Sequence, residues 1–321
     1  AHGYKNPNSK RSKALAKLAY IPRKLILTGT PMEKDPVDFW AQFRFLVPGL
    51  LQRTWTDFKW FYMEPYGFKN KQWRIREERL EDYLEKLKPY IFDIRRKEVL
   101  DIKSKRVIAR VKMNKEQRRI YDELEEHLIA EYEDGIITAQ IAAVKLIKLH
   151  QVACGFVYDD ENSAVMVSDE KIKRALKYLD RKTVIFCRYS SEIAGLYRYL
   201  RHKGVKNVKI LDGSIPPENR KSIVDWFTGE KFAVLIVQVK VGGVSINLQS
   251  ASRAIFYSLP MSRTDFEQAR ARLLRYGQNA FVDFIILLTE DSVDEYVYAL
   301  LKSKGRKIDM VRKYLKHRRR K

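Results

Sequence analysis

The strongest constraint on the fold is a regular alternation of short apolar runs and helical stretches that begins after Ser168. The apolar runs are rich in Val, Ile and Phe, and each has the length of one strand. They cover residues 183–187, 208–211, 233–237, 254–257 and 281–287. Helical stretches lie between them at 192–201, 217–227 and 264–275. Strands that are apolar throughout and alternate with helices are typical of an α/β fold, in which helices cover both faces of a parallel sheet.

The sequence before Ser168 predicts a more helical region. Strand-like segments are limited to 24–28 and 106–111. Predicted helices cover 36–46, 76–88, 115–132 and 139–152. Eight aromatic residues from Trp55 to Trp73 are interleaved with lysines. Such a segment can stack on nucleic-acid bases, but we favour the alternative that it packs in the core of a helical subdomain.

The length of the chain predicts more than one folding unit. A domain commonly has about 100 to 200 residues, and this chain has 321. We predict that residues 1–108 form the end of a first α/β lobe with a helical insertion. Residues 109–290 should form a complete second lobe with its own helical insertion at 114–154. Residues 291–321 should form C-terminal helices and a basic tail.

The charge of the chain points to a polyanionic partner. Lys and Arg together number 63 and Asp and Glu 40, which gives a formal net charge of +23. Clustered Lys and Arg favour nucleic acid, because they neutralise phosphates and release counterions. A basic protein without such a partner is the alternative. A composition of 45% hydrophobic residues excludes a chain that is disordered throughout.

Several other classes of protein are disfavoured. Cys154 and Cys187 lie in apolar segments, which favours reduced thiols in a core over a disulfide framework. The five histidines have no zinc-ligand spacing, so we expect no metal site within this chain. The apolar runs are shorter than the roughly 20 residues that span a bilayer, and no signal-peptide pattern is present. We therefore expect an intracellular protein, cytoplasmic in a prokaryote or virus and nuclear in a eukaryote.

Three segments that follow predicted strands have residues suited to phosphate chemistry. In parallel sheets, ligands bind at the carboxyl ends of the strands. Thr28, Gly29 and Thr30 follow the first strand-like segment, although they also fit an ordinary turn. Lys240 precedes the pair Gly242 and Gly243, where two glycines permit close approach of backbone N–H groups to a phosphate.

The third segment is the predicted helix that contains Arg272 and Arg275. Residues three apart lie on one face of a helix, so both guanidinium groups could reach one phosphate chain. Arginine stays charged and donates in a planar fork, as an arginine finger does in phosphoryl transfer. A solvated basic face is the alternative interpretation.

Taken together, these segments resemble the motifs of the Swi/Snf-type branch of superfamily-two helicases and DNA translocases, in order and at fitting distances. The matching residues are Ala1 and His2 with Tyr4 to Asn6; Leu27 to Pro31; Phe92 with Ile94 to Lys97; Leu146, Leu149, Gln151 and Cys154; Val184 to Phe186 with Ser190; Leu211 to Ser214 with Arg220; Lys240 to Leu248; and Gln268 to Gln278. Ala1 and His2 resemble the end of the acidic Asp-Glu-Ala-His box. The resemblance implies RecA-like lobes and helical insertions.

The resemblance also implies roles for individual residues. Arg272 and Arg275 would stabilise the γ-phosphate of ATP, while Gln268 and His2 would link the nucleotide to lobe closure. Thr28, Gly29 and Thr30 would transmit that closure. The DNA backbone would be held by Ser190, Gly213, Ser214, Arg220, Lys240, Gly242 and Gly243. Phosphate contacts of this kind carry no base sequence information.

The implied whole protein is a DNA-dependent ATPase that uses ATP and Mg²⁺ and moves along double-stranded DNA. We expect the chain to begin inside a longer protein, with the principal ATP site on an N-terminal ATPase lobe, and to be inactive by itself. Some residues depart from the family pattern: Ala271, Leu274, Met261 and Ser262. A non-enzymatic basic clamp with the same fold, or a motor for RNA or branched DNA, are the alternatives.

Overall fold

The chain folds into two compact units, residues 1–95 and 96–321. The computed structural model describes residues 6–28, 38–66, 72–92, 102–133, 138–158, 163–243 and 246–303. Three of the predicted site residues, His2, Gly29 and Thr30, lie outside the described residues, as do Arg95 and Arg96 of the segment that resembles a family motif.

The first unit is a small helical subdomain with an aromatic core. Its helices are α1 (Lys10–Lys17), α2 (Asp38–Leu46), α3 (Trp55–Tyr62) and α4 (Glu77–Leu87), and its antiparallel hairpin is β1 (Met63–Tyr66) with β2 (Gln72–Ile75). Trp40, Phe58, Tyr62 and Tyr83 are all buried in one cluster. Core packing is therefore confirmed for the centre of the aromatic segment, whereas Trp60 remains 78% exposed.

The strand predicted at 24–28 is not a strand in the structure. An extended segment becomes a strand only when a neighbour supplies hydrogen-bond partners. None of the described strands pairs with these residues. The prediction was wrong because local β propensity does not include the partner strand.

The second unit is built on a sheet of six parallel strands, as far as the described residues show. The strands are β3 (Ser104–Val111), β6 (Thr183–Cys187), β7 (Val208–Leu211), β8 (Val234–Gln238), β9 (Arg253–Phe256) and β10 (Val282–Thr289), and a separate hairpin joins β4 (Phe156–Tyr158) to β5 (Ala164–Met166). The helices are α5 (Lys115–Glu133), α6 (Ala139–Ala153), α7 (Glu170–Leu176), α8 (Ser190–His202), α9 (Pro217–Gly229), α10 (Arg263–Ala271) and α11 (Val293–Lys302). The sheet order is β3-β10-β9-β6-β8-β7.

Helices cover both faces of this sheet, which confirms the predicted α/β class. Successive residues of a strand point to opposite faces. Phe186 of β6 accordingly packs in one core with α5, α6, α9, α10 and α11. Ile185 packs in a second core with α7 and α8. All five residues of β6 are buried, because its neighbours and both helix layers enclose it.

The predicted boundary between residues 108 and 109 falls inside β3. This strand pairs over its whole length with β10, so in the structure all of it belongs to the second unit. Helix α11 likewise buries Val293 and Val297 in the core of that unit. Across the described residues, none of the helices combines the length and apolar character that a membrane span requires.

Candidate functional site

The predicted site residues of the second unit follow three neighbouring strands. Ser190 follows β6, Lys240 follows β8, and Gly213 with Ser214 follows β7. These strands lie side by side in the order β6-β8-β7 and are parallel. Their carboxyl ends therefore meet at one edge of the sheet, where ligands bind in folds of this type.

The first of these residues, Ser190, is the exposed first residue of α8. The chain before it is fixed by the buried carboxylate of Glu192. That carboxylate accepts the backbone N–H groups of Arg188 at 3.1 Å and of Tyr189 at 3.3 Å, and the hydroxyl of Ser258 at 2.6 Å. The first N–H groups of a helix lack partners within the helix and favour an anion.

Gly213 and Ser214 are held in an exposed turn at the end of β7. The N–H of Gly213 donates to the side-chain oxygen of Gln238, the last residue of β8, at 3.1 Å. Ser214 donates from its N–H and its hydroxyl to Asp212, at 3.0 and 2.6 Å. Arg220 of α9 donates from Nε to the carbonyl of Ile215 at 2.9 Å. These bonds fix the turn against β8.

Lys240 is displayed by a 3-10 turn, Val239–Gly243, that directly follows β8. Val239 and Val241 on either side of it are buried in the core, whereas Lys240 is exposed. Helix α10 packs against the same turn. The apolar neighbours thus anchor the turn and leave the ammonium group at the edge of the sheet.

Arg272 lies immediately after α10 and is buried, with 4% of its surface exposed. The prediction of one helix through Arg275 was wrong, because α10 ends at Ala271. The N–H groups of Arg272 and Leu273 donate to the carbonyls of the residues three positions earlier, Ala269 and Arg270. These bonds tighten the chain into a turn, in which Leu273 and Leu274 are buried. Arg275 is half-buried within this turn.

The two arginines nevertheless act on each other electrostatically. Burial and, next, the charge of Arg275 lower the pKa of Arg272 to about 10, while Asp265 opposes the shift. The Nη1 atom of Arg272 is buried and has no hydrogen-bond partner among the residues that the structure describes. A buried guanidinium without an anionic partner is costly. The site therefore suits a phosphate group, whose oxygens accept from a guanidinium fork.

The turn that carries Arg275 is held in one conformation by Gln278. Its amide group donates to the carbonyls of Ala251 at 2.9 Å and Leu273 at 3.2 Å. Gly277 has a φ of +88°, which favours glycine. The role of Gln278 was not predicted, since nothing local to it signals a bond to residue 251. Gln268 lies half-buried one helical turn before Arg272.

The departures from the family pattern have structural roles. Leu274 and Met261 pack in the core of the second unit. Ser262 caps α10 by accepting the N–H of Asp265 at 3.2 Å. Ala271 is the half-buried last residue of α10.

Replacing Arg272 by methionine is expected to raise the free energy of unfolding at pH 7 by about 1–3 kcal/mol. The pKa of Arg272 in the folded chain, about 10, lies below its ordinary value of 12.5, so folding disfavours the charged form below about pH 10. Methionine keeps an apolar stem and removes the charge. Chemical denaturation measures the change. The exposed Arg263→Met serves as control, with an expected change within about 0.5 kcal/mol. A less stable Arg272→Met chain would contradict the expected cost of burying this charge.

Comparison with known proteins identifies the family. Residues 1–155 match the model of the SNF2-related domain, and residues 169–277 match that of the helicase conserved C-terminal domain. An uncharacterized ATP-dependent helicase of Mycoplasma genitalium is 26% identical over 98% of this chain. The SWI/SNF chromatin-remodeling complex subunit snf22 of Schizosaccharomyces pombe is 27% identical over 92% of it. The chain spans 30% and 19% of the lengths of these two relatives.

A solved structure shows the same fold. It is the crystal structure of the C-terminal part of the Fun30 ATPase domain, which has 19% sequence identity and a TM-score of 0.55. The likeness covers 67% of this chain and 99% of that one. The two family models follow each other in the order that the sequence motifs predict. The chain belongs to the Snf2-type branch of the superfamily-two helicase-like proteins.

Proposed function

We propose that this chain is the C-terminal portion of an ATP-dependent motor that moves along double-stranded DNA. In this proposal the second unit has two tasks, one toward nucleotide and one toward DNA. The observation that carries it is Arg272, which is buried, which lies in the segment that resembles the family's γ-phosphate motif, and whose Nη1 atom has no hydrogen-bond partner among the described residues. An ATP-dependent helicase among the relatives supports the ATP-dependent part of this proposal.

The nucleotide task belongs to Arg272 and Arg275. Both guanidinium groups would donate to the oxygens of the γ-phosphate and offset the charge that develops as its bond to ADP breaks. Mg²⁺ bound with ATP would neutralise part of the same charge. Arginine side chains cannot hold a cation, so we assign no Mg²⁺ ligand to these two residues. Gln268, His2 and the segment Thr28 to Thr30 keep the coupling roles that the family resemblance implies.

The DNA task belongs to the turns after β6, β7 and β8. The exposed residues Ser190, Gly213, Ser214 and Lys240 would contact successive phosphates of one strand, together with Arg220, Gly242 and Gly243. Hydroxyl, backbone N–H and ammonium groups are the donors that proteins direct to phosphates. A motor that contacts only phosphates can move along DNA of any base sequence. The net charge of +23 favours such a partner.

Replacing Lys240 by alanine is expected to weaken the binding of duplex DNA equally for unrelated sequences. The slope of log Kd against log salt concentration should fall by about one unit, because one phosphate contact is lost. Fluorescence anisotropy of labelled duplexes at several salt concentrations measures both quantities. Lys231→Ala is the matched control, since Lys231 is an exposed lysine before the amino end of β8, at the opposite edge.

This experiment tests the DNA part of the proposal. Lys231→Ala should leave the salt slope within error of the unmodified chain. A Lys240→Ala chain that keeps its affinity and slope would remove this turn from the DNA interface. A loss confined to one DNA sequence would replace phosphate contact with base recognition.

A further inference from the structure

A fully buried ion cluster joins three helices of the second unit. Lys171 of α7 places Nζ 2.6 Å from Oδ2 of Asp294 in α11. His150 of α6 places Nε2 3.2 Å from Oδ1 of the same carboxylate. Each of these side chains is no more than 2% exposed. The N–H of Thr289 also donates to Asp294, at 3.0 Å.

Lysine is the cation of this cluster. Ligand atoms of His150, Cys154 and Asp294 lie within 4.8 Å of one another, a spacing that a metal ion could bridge. The Nζ atom of Lys171 is, however, 3.7 Å from the sulfur of Cys154 and 2.6 Å from Asp294. Burial raises the pKa of the Cys154 thiol, which disfavours the thiolate that metals bind. We therefore assign no metal here.

The charges of the cluster stabilise each other. Burial alone would raise the pKa of Asp294, but Lys171 and His150 outweigh it and hold that pKa well below its ordinary value. Burial alone would lower the pKa of Lys171, yet Asp294 outweighs it and raises that pKa. The cluster thus contains a buried ion pair that dissolved salt screens much less than it screens a surface pair.

One hydrogen bond connects the cluster to the carboxyl edge of the sheet, the proposed DNA edge. The second ring nitrogen of His150, Nδ1, lies 2.8 Å from the hydroxyl of Tyr189. Tyr189 immediately precedes Ser190, the first residue of α8. The hydroxyl of the next residue, Ser191, accepts a hydrogen bond of 3.1 Å from the hydroxyl of Tyr158 in the β4–β5 hairpin. The start of α8 is therefore tied to the helical insertion and to the C-terminal helix.

We infer that Lys171, Asp294 and His150 are positioning residues, which act through Tyr189 to fix the start of α8 and so place Ser190 against a DNA phosphate. The inference rests on the proposed function. Asp294 orients the ring of His150, and the ring orients the tyrosine hydroxyl, as outer partners orient the ligands of a site. A phosphate contact depends on such placement, because donor and acceptor must meet within about 0.5 Å of the productive geometry.

The test is a double-mutant cycle on the binding of duplex DNA, with Tyr189→Phe, Ser190→Ala and the double variant. Tyr189→Phe removes one hydroxyl and leaves the ring and the ion cluster in place. We expect it to raise Kd about two- to tenfold. Because Tyr189 acts through Ser190, the double variant should bind much as Ser190→Ala does. The control is Tyr199→Phe, which removes the hydrogen bond to Asp169 near the other end of α8. It should leave Kd unchanged.

Melting temperatures of the variants separate positioning from stability. If Tyr189→Phe and Tyr199→Phe lower the melting temperature similarly, only the former should alter Kd. If Ser190→Ala weakens the binding of DNA while Tyr189→Phe binds normally, this inference is wrong and the proposed function still stands. Additive effects of Tyr189 and Ser190 would also overturn it. If Ser190→Ala and Lys240→Ala both bind normally, the proposed DNA edge fails as well.

Discussion

Replacing Arg272 by alanine in the full-length protein is expected to lower DNA-stimulated ATP hydrolysis by about a thousandfold or more, the effect of losing an arginine finger. The affinity for duplex DNA should change little, since the proposed DNA contacts lie after β6, β7 and β8. Steady-state turnover with saturating duplex DNA and DNA binding by anisotropy measure the two effects. The control is Arg263→Ala, an exposed arginine at the start of the same helix.

Two other outcomes of the Arg272→Ala experiment would contradict this expectation or change its meaning. Normal turnover by Arg272→Ala would show that the guanidinium has no part in hydrolysis. Combined loss of turnover and DNA affinity would indicate a folding defect. Arg272→Met, which we expect to be more stable than the unmodified chain, distinguishes the two explanations: if it is folded and still inactive, the loss is chemical.

Replacing Asp294 by asparagine is expected to lower the free energy of unfolding of the chain by about 3–5 kcal/mol, because it leaves the ammonium of Lys171 buried without a counter-charge. The matched control is the next acidic residue of α11, Glu295, whose bridge to Arg110 lies at the surface. Glu295→Gln should cost less than about 1 kcal/mol. Urea denaturation at pH 7 compares the two.

The pH dependence provides a second check on Asp294. Its pKa in the folded chain is lowered from the ordinary value of 3.8. The stabilisation is therefore complete above about pH 3.8 and is lost as the pH falls through the folded pKa. The unmodified chain should lose this contribution in acid, whereas Asp294→Asn lacks it at every pH. Equal stability of the two chains at pH 7 would show that Lys171 has another counter-charge.

The sheet of the second unit was predictable from sequence because its strands are buried on both faces. The apolar run at 183–187 coincides with β6, and the run at 281–287 lies within one or two residues of β10. Strand order was not predictable, since parallel neighbours such as β6 and β8 are about 50 residues apart and local sequence carries no record of pairing.

The site was predictable only in part, for similar reasons. In the sequence, glycines, hydroxyl residues and Lys240 follow predicted strands, which predicts a site at the carboxyl edge of a sheet. The structure places the predicted DNA-binding turns of the second unit at that edge. The end of α10 at Ala271 depends on the burial of Leu273 and Leu274, which a helical pattern does not reveal. The pair of Lys171 and Asp294 is separated by 123 residues and lies in two unremarkable helices.

We propose that the full-length protein hydrolyses ATP in response to double-stranded DNA. The direct measurement is the rate of ATP hydrolysis by the full-length protein without nucleic acid, and with duplex DNA, single-stranded DNA or RNA. We predict that duplex DNA gives the largest stimulation and that Arg272→Ala abolishes it. Stimulation by RNA alone would contradict the assignment of the substrate, and absence of hydrolysis under every condition would identify a non-enzymatic clamp with a helicase fold.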